Sequence, residues 1–343
     1  MRYFLKCREC RKEEDADYVS QLCEECGGML EVVYSERPRR KPKYESMWSF
    51  KDLLPDGEYK ELEAGGTKII GNGPFLKIEI YNPTRSFKDR GSVIEVSKAK
   101  EYGYKEVVCA TTGNMGYSIS FYANIMQMRS TVFVMKNANK DKIDMIKSTG
   151  AKLIKSNGDF TDAQNQAKKY AKENGAFVAG DYCYRKEGQS TIAYELISQG
   201  SFEELYVPIG NGTLIAGIYK AYKMMNKYFN TSIPKIYGVE ATGSAALKES
   251  IKKNVEPVHI TPKTKADAIA VGYPTYWKDA IEAIKSTGGR LILVTDREME
   301  LSKLKIEREY GIIPELGGAA SYAGYLKNKG AKNSCILITG GNI

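Results

Sequence analysis

Short apolar runs alternate with helix-period stretches along most of the chain, the signature of parallel α/β sheets. The alternation is clearest in the middle. Residues 106–111 (EVVCAT) predict a strand and 114–126 a helix. Residues 130–135 (STVFVM) predict a second strand, followed by a Lys-rich helix to about Thr149. A third strand is expected at 151–154, a helix at 161–173 and a fourth strand at 176–179, enough for a compact domain. Further on, 205–209, 235–239, 291–294 and 335–338 predict the strands of a second sheet, with helical patterns between them. Ligands of such sheets bind at strand ends, where the motifs below fall.

The first 34 residues break this pattern and are dense in cysteine and glycine. Cys7-x-x-Cys10 and Cys23-x-x-Cys26 are two pairs of the kind that together supply four thiolates to one tetrahedral zinc. Gly27-Gly28 gives the backbone freedom for the second turn. With all four positions filled by protein, such a zinc is structural; a redox dithiol is the minor alternative. A basic linker, Glu36-Arg37-Pro38-Arg39-Arg40-Lys41-Pro42-Lys43, follows and reads as a solvated connector. Cys109, Cys183 and Cys335 are scattered and read as buried thiols.

Composition narrows the chemistry. The 343 residues suffice for two domains. No apolar run approaches the length of a membrane span, and MRYFLKCREC lacks the apolar core of a signal peptide, so a cytoplasmic protein is expected. The charge of +9 suits an anionic substrate or cofactor as well as nucleic acid. There is one histidine, His259, beside a proline and without a metal-like partner; it reads as a surface or packing residue, and any triad or His-rich metal site has at most that one imidazole to work with. Acid–base chemistry falls to Lys, Asp, Glu, Tyr or a cofactor.

Three motifs stand at strand or helix ends. Lys88 follows a Pro-Thr turn and precedes a helix expected from about Asp89 to Glu101. Gly210-Asn211-Gly212-Thr213 follows a strand and opens a helix near Leu214, offering N–H groups and a helix dipole to a phosphate. Thr111-Thr112-Gly113-Asn114 is a second anion-binding loop, suited to a substrate carboxylate, with Asn114 free to reach a ring oxygen.

The stretch Pro83-Thr84-Arg85-Ser86-Phe87-Lys88-Asp89-Arg90-Gly91 resembles the cofactor-lysine motif of fold-type II pyridoxal-phosphate (PLP) enzymes, specifically the threonine synthases. The likeness extends over almost the whole chain. Ser46-Met47-Trp48-Ser49-Phe50-Lys51-Asp52-Leu53-Leu54-Pro55 is similar to that family's opening segment. Arg185-Lys186-Glu187-Gly188-Gln189-Ser190-Thr191 resembles its Arg-Leu-Glu-Gly-Gln-Lys-Thr, and Gly318-Ala319-Ala320-Ser321-Tyr322-Ala323-Gly324 a late helix. The cysteine-rich start is common in archaeal-type members.

The resemblance implies two parallel-sheet α/β domains of tryptophan-synthase-β-like fold behind a small zinc ribbon. The ribbon would be residues 1–34, the large PLP-binding domain 35–90 plus 181–343, and the small domain 91–180. It implies that Lys88 holds PLP as a Schiff base and shuttles protons, and that Gly210, Asn211, Gly212 and Thr213 cradle the phosphate. Asn114 would bond the ring hydroxyl, Thr339 the pyridine nitrogen, and Thr111, Thr112 and Gly113 the substrate carboxylate. The implied reaction converts O-phospho-L-homoserine and water to L-threonine and phosphate. A homodimer without membrane or nucleic-acid partners is expected.

The chain departs from the family pattern in places. Arg85 stands where the family usually has Gly, and Met115 replaces a hydroxyl residue after Asn114. An Asn-rich stretch before Arg185 is replaced by Ala179-Gly180-Asp181-Tyr182-Cys183-Tyr184, and the family's Ala-Ile-Arg-Ile-Gly reads Ala268-Ile269-Ala270-Val271-Gly272. These are read as substrate-side changes, with Arg85 and Arg185 as replacement phosphate ligands. A sister reaction, β-replacement on O-phosphoserine (cysteate or cysteine synthesis) or hydroxy-amino-acid dehydration, is the alternative. A zinc-ribbon nucleic-acid binder using the basic linker would leave Lys88 and the glycine loop unexplained.

Overall fold

The computed structural model describes the chain except for residues 40, 42–45, 58, 60, 61, 112, 136, 137, 158, 159, 342 and 343, and the side chain of Thr161. Thr112 and part of the basic linker thus lie outside the described residues. The N-terminal segment is an antiparallel sheet of β1 (Tyr3–Cys7), β2 (Glu13–Glu14) and β3 (Leu30–Tyr34), in the order β2-β1-β3. Alternate residues of β1 (Tyr3, Leu5, Cys7) point inward, the period-two pattern of a half-buried strand.

The chain continues through β4 (Ile69–Ile70), β5 (Phe75–Ile78) and α1 (Lys88–Glu101). Next come β6 (Glu106–Thr111), α2 (Asn114–Ile125), β7 (Arg129–Met135), α3 (Lys140–Ser148), β8 (Lys152–Ser156), α4 (Phe160–Asn174) and β9 (Phe177–Val178). After α5 (Cys183–Gln199) come β10 (Glu204–Pro208), α6 (Thr213–Phe229), β11 (Lys235–Ala241) and α7 (Leu247–Lys253). The chain ends with α8 (Trp277–Ser286), β12 (Leu291–Val294), α9 (Asp296–Tyr310), α10 (Leu316–Asn328) and β13 (Ser334–Ile338).

Two compact units result. The first comprises Met1–Arg40, Trp48–Ala64 and Lys88–Gln189; the second comprises Lys41–Met47, Gly65–Phe87 and Ser190–Ile343. The division falls between Phe87 and Lys88 and again within α5. It groups the cysteine-rich sheet and Lys88 with the middle of the chain, whereas the sequence suggested a separate ribbon and Lys88 in the larger domain.

The first unit has a four-stranded all-parallel sheet, β8-β7-β6-β9. β6 is buried at every position, as expected of a strand covered on both faces. On one face Ala163, Ala167 and Ala171 of α4, spaced four apart, pack on Val108, Ala110 and Phe133. The second unit has the sheet β12-β11-β10-β13-β5-β4, parallel throughout except for the edge pair β4/β5. Its core runs from Leu76 and Ile78 through Val239 and Val294 to Ala319 and Tyr322 of α10. Both sheets place a strand end before a helix N-terminus, at Thr111/Asn114 and at Pro208/Thr213.

Candidate active site

Lys88 is the first residue of α1, a helix buried from Asp89 through Ala99 although it carries Asp89, Arg90, Glu95 and Lys98. Buried charges need partners. Ser118 Oγ of α2 donates to Asp89 Oδ1 at 2.6 Å, fixing the first turn of α1 against α2. Arg185 of α5 lies 2.6 Å from Glu95, and neither side chain has any exposure. The same guanidinium donates from Nε to Gly180 O at 2.8 Å, from Nη2 to Ser92 Oγ at 3.0 Å and from Nη1 to the Lys88 carbonyl at 3.2 Å. Desolvation raises the Glu95 pKa against the pull of Arg185 and the Gly180 N–H. The α1–α5 contact is close because both helices present glycine. A Cβ on Gly91 would lie 2.6 Å from Arg185 Cγ, and one on Gly188 would collide with the Arg90 carbonyl.

At the N-terminus of α2, Thr111 Oγ1 accepts the N–H groups of Gly113 (2.9 Å) and Gly116 (3.1 Å). The Thr111 hydroxyl is therefore a helix cap. Gly113 has φ +155, and the stem of Lys142 from α3 lies where its Cβ would be. Asn114 begins the helix and is half-buried, whereas Met115 is buried. Lys142, placed over this loop, is a cation that sequence reasoning missed; it sits in an unremarkable lysine-rich helix with nothing to mark it.

In the second unit the 210–213 loop links β10 to α6. Gly212 is left-handed (φ +83), and its missing Cβ would lie 3.1 Å from Tyr276 O; that of Gly210 would lie 3.2 Å from Ile269 Cα. Asn211 Oδ1 accepts from Thr275 N (2.8 Å) and Thr275 Oγ1 (2.7 Å), so this side chain braces the loop. Thr213 is buried at the start of α6. Thr339, also buried, follows β13, and its carbonyl accepts the Phe87 N–H at 3.0 Å. Gly318 of α10 packs directly on the Gly340 backbone. Ser86, bridged to Gly340, has a buried hydroxyl without a hydrogen-bond partner among the described residues. Arg85 is exposed and left-handed (φ +61), in a turn closed by its N–H on Asn82 O at 2.8 Å. That backbone explains why the family pattern has glycine there, since only glycine enters the region without steric cost.

The four N-terminal thiols converge. Their sulfurs all lie within 4.8 Å of one another, with Cys7–Cys26 at 3.5 Å and Cys10–Cys23 at 3.7 Å. A tetrahedron of thiolates about 2.3 Å from a zinc has edges of about 3.8 Å. A Cβ on Gly28 would sit 3.1 Å from Cys7 Sγ and 3.2 Å from Cys26 Sγ, crowding the thiols. Burial works to raise the Cys7 pKa, but the Cys10 and Glu9 backbone N–H groups outweigh it and lower the thiol to about 7. Cys109, Cys183 and Cys335 are buried, as expected, and burial pushes their thiols up, Cys109 and Cys335 to about 12.

The model of the pyridoxal-phosphate-dependent enzyme family matches residues 61–340. The threonine synthase of Methanosarcina acetivorans is 33% identical, over 95% of this chain and 86% of that protein. That of Methanocaldococcus jannaschii is 32% identical over 94% and 86%. The chain belongs to the threonine synthase family of pyridoxal-phosphate-dependent enzymes. Among solved structures, maize serine racemase superposes with a TM-score of 0.72 over 81% of this chain and 88% of that one, at 22% identity, and speaks for the fold alone.

As a member of this family the chain is a PLP-dependent lyase, and the residues present fit the cofactor. The 210–213 loop is a cradle that any Cβ at Gly210 or Gly212 would crowd, and Ser86 carries an orphaned buried hydroxyl. One family departure changes meaning. Cys183, Tyr184 and Arg185 were read as substrate-side, yet all three are fully buried. Tyr184 OH meets Tyr3 OH of the cysteine-rich sheet at 3.2 Å, and the Arg185 guanidinium is occupied by Glu95 and backbone carbonyls.

Proposed function

We infer that the chain is a threonine synthase, converting O-phospho-L-homoserine and water to L-threonine and phosphate. The observation that carries this is the 33% identity to a threonine synthase over 95% of the chain, spanning the Lys88 motif. PLP, when bound, supplies an electron sink for carbanions at the substrate carbons. Lys88 anchors it and then moves protons at the substrate α- and β-carbons. The N–H groups of the 210–213 loop and the dipole of α6 hold the cofactor phosphate. Asn114 is assigned to the ring hydroxyl and Thr339 to the pyridine nitrogen. A hydroxyl cannot keep that nitrogen protonated as a carboxylate would, which suits elimination and replacement over transamination. The 111–113 loop is assigned to the substrate carboxylate through its backbone, and exposed Arg85 to the substrate phosphate. Arg185, buried and multiply paired, is assigned to positioning in place of substrate binding.

The same proposal includes one structural zinc on Cys7, Cys10, Cys23 and Cys26, supported by the convergence of the four sulfurs. It also includes a cytoplasmic homodimer acting on a small phosphorylated amino acid, with neither nucleic acid nor membrane as partner, on the strength of the family resemblance. Incubation with phosphohomoserine should release equimolar phosphate and threonine. Phosphate and a keto-acid or β-substituted product from O-phosphoserine, with none from phosphohomoserine, would transfer the assignment to the sister reaction. The cofactor's visible absorbance should be lost in Lys88→Ala. Sedimentation of the loaded enzyme at twice the chain mass tests the dimer.

A further inference from the structure

Two lines of contacts run from the cysteine knuckles to the helices that hold Lys88. The first starts at the second pair. Leu22 is bridged to Met29 and the Gln21 carbonyl accepts the Leu30 N–H at 3.0 Å, so Gln21 is fixed by the turn that Cys23 and Cys26 close. Gln21, only 3% exposed, donates from Nε2 to Glu95 Oε1 and to Val178 O, both at 3.1 Å, and its Oε1 accepts the Tyr184 N–H at 3.2 Å. Glu95 is the partner of Arg185, and Arg185 holds the carbonyl of Lys88.

The second line starts at the first pair. Arg8, between Cys7 and Cys10, pairs with Glu31 Oε1 at 2.6 Å, and the other oxygen of Glu31 takes Lys186, the neighbour of Arg185. Two flanking contacts reinforce the docking. Tyr34 OH donates to Glu187 at 2.5 Å, and Lys98 of α1 lies within 5.8 Å of the ring centres of Tyr3, Tyr102 and Tyr184. Lys186 stands where the family pattern has leucine, and Tyr184 falls in the replaced stretch. These two changed positions thus meet the cysteine-rich sheet.

We propose that the N-terminal metal ribbon is a positioning element of the active site, acting through Gln21, Glu95 and Arg185 on the backbone of Lys88. A carbonyl at the first residue of α1, held by a guanidinium whose own partner is held by the ribbon, sets where the anchoring lysine begins its reach. Removing the metal frees the knuckles, releases Gln21 and leaves Glu95 buried with weaker support. The inference rests on the reading that Lys88 anchors the cofactor and that the cysteines hold a metal.

Hydrogen exchange and cofactor dissociation separate this from simple docking. The full-length, cofactor-loaded protein is compared with Gln21→Met, which keeps the volume and removes the bonds, with Lys186→Leu, and with wild type stripped of metal by a chelator. In Gln21→Met, metal content should stay at wild-type level. Amide exchange over residues 88–92 should rise about ten-fold and cofactor dissociation several-fold, while β10 in the second unit stays protected. Lys186→Leu should shift the same quantities less, and the chelated protein should resemble Gln21→Met. Unchanged exchange at 88–92 in Gln21→Met, or an equal rise in β10, overturns the proposal. Purification without any metal overturns the metal reading and this proposal's metal arm, while Gln21→Met still decides the link to Lys88. Loss of threonine synthase activity bears on neither readout.

Discussion

Each unit contains an ion pair with no exposure on either side, and the two pairs are built differently. In the first, Arg185 faces Glu95 and distributes its remaining donors over Gly180 O, Ser92 Oγ and Lys88 O. In the second, Lys77 of β5 lies 2.5 Å from Glu195 of α5 and also donates to Thr67 O at 2.7 Å and Gln199 Oε1 at 3.1 Å. Glu195 in turn accepts the Gly66 N–H at 2.8 Å. The planar fork of arginine addresses several fixed targets, one of them the carbonyl of the proposed cofactor lysine, whereas the ammonium of Lys77 clamps a loop onto a sheet. Burying a charge pair gives little net stability, but removing one partner is expensive. What distinguishes the pairs is therefore what each holds in place.

The largest effects should come from breaking each pair. Arg185→Met and Lys77→Met should each lose roughly 3–5 kcal/mol in denaturant unfolding, because a buried carboxylate loses the cation that faces it. Only Arg185→Met should also weaken cofactor binding out of proportion to stability; equal cofactor losses in both would erase the contrast.

Another buried carboxyl, Glu240, sharpens the comparison because no cation faces it among the described residues. Its oxygens accept the Leu247 N–H at 3.2 and 3.3 Å, and desolvation raises its pKa from 4.5 to about 8. A carboxyl with a raised folded-state pKa favours folding while protonated. Its contribution is therefore complete below about pH 4.5 and is lost as pH rises through about 8. Glu240→Gln should flatten that slope and stabilise the protein at pH 8 by roughly 2–3 kcal/mol. A pH series of melts in which variant and wild type run parallel would remove Glu240 from this role.

Gly188→Ala tests the helix contact that carries Arg185. Its methyl meets the Arg90 backbone, and overpacking of this kind costs roughly 1–3 kcal/mol. The smallest stability effect is expected for Arg85→Gly. Relief of the left-handed backbone, roughly 1–2 kcal/mol, is partly offset by the freer unfolded chain, for a net change of about 0.5 kcal/mol. The KM for phosphohomoserine should nonetheless rise about ten-fold if Arg85 meets the substrate phosphate, the loss of roughly 1.4 kcal/mol of charge-assisted bonding. An unchanged KM would leave Arg85 a turn residue only.

The central strands were legible because buried parallel strands read as near-continuous apolar runs: 106–111 coincides with β6, and 335–338 falls within β13. β4 and β5 were missed. They are short, Gly71 to Pro74 separates them, and Lys77 in β5 looks like a surface charge until its partner 118 residues later is known. The expected strand at 176–179 shrank to β9, Phe177–Val178. Lys88, the glycine loop and the thiol cluster are local motifs and can be read from neighbours along the chain. The left-handed backbone at Arg85 left a trace as a departure from a glycine. Gln21, Glu31 and Glu95 left none, because each acquires its meaning only through contacts far away in sequence.

That separation has a consequence for synthesis. Gln21 and the Tyr184 N–H are 163 residues apart. At about 5–20 residues per second, roughly 8–33 s pass between their emergence from the ribosome. For that interval the face bearing Tyr3, Gln21, Glu31 and Tyr34 has no α5 to receive it. On the proposed metal reading, supply of the ion during translation, rather than after it, sets how well ordered that face is when its partner helix arrives.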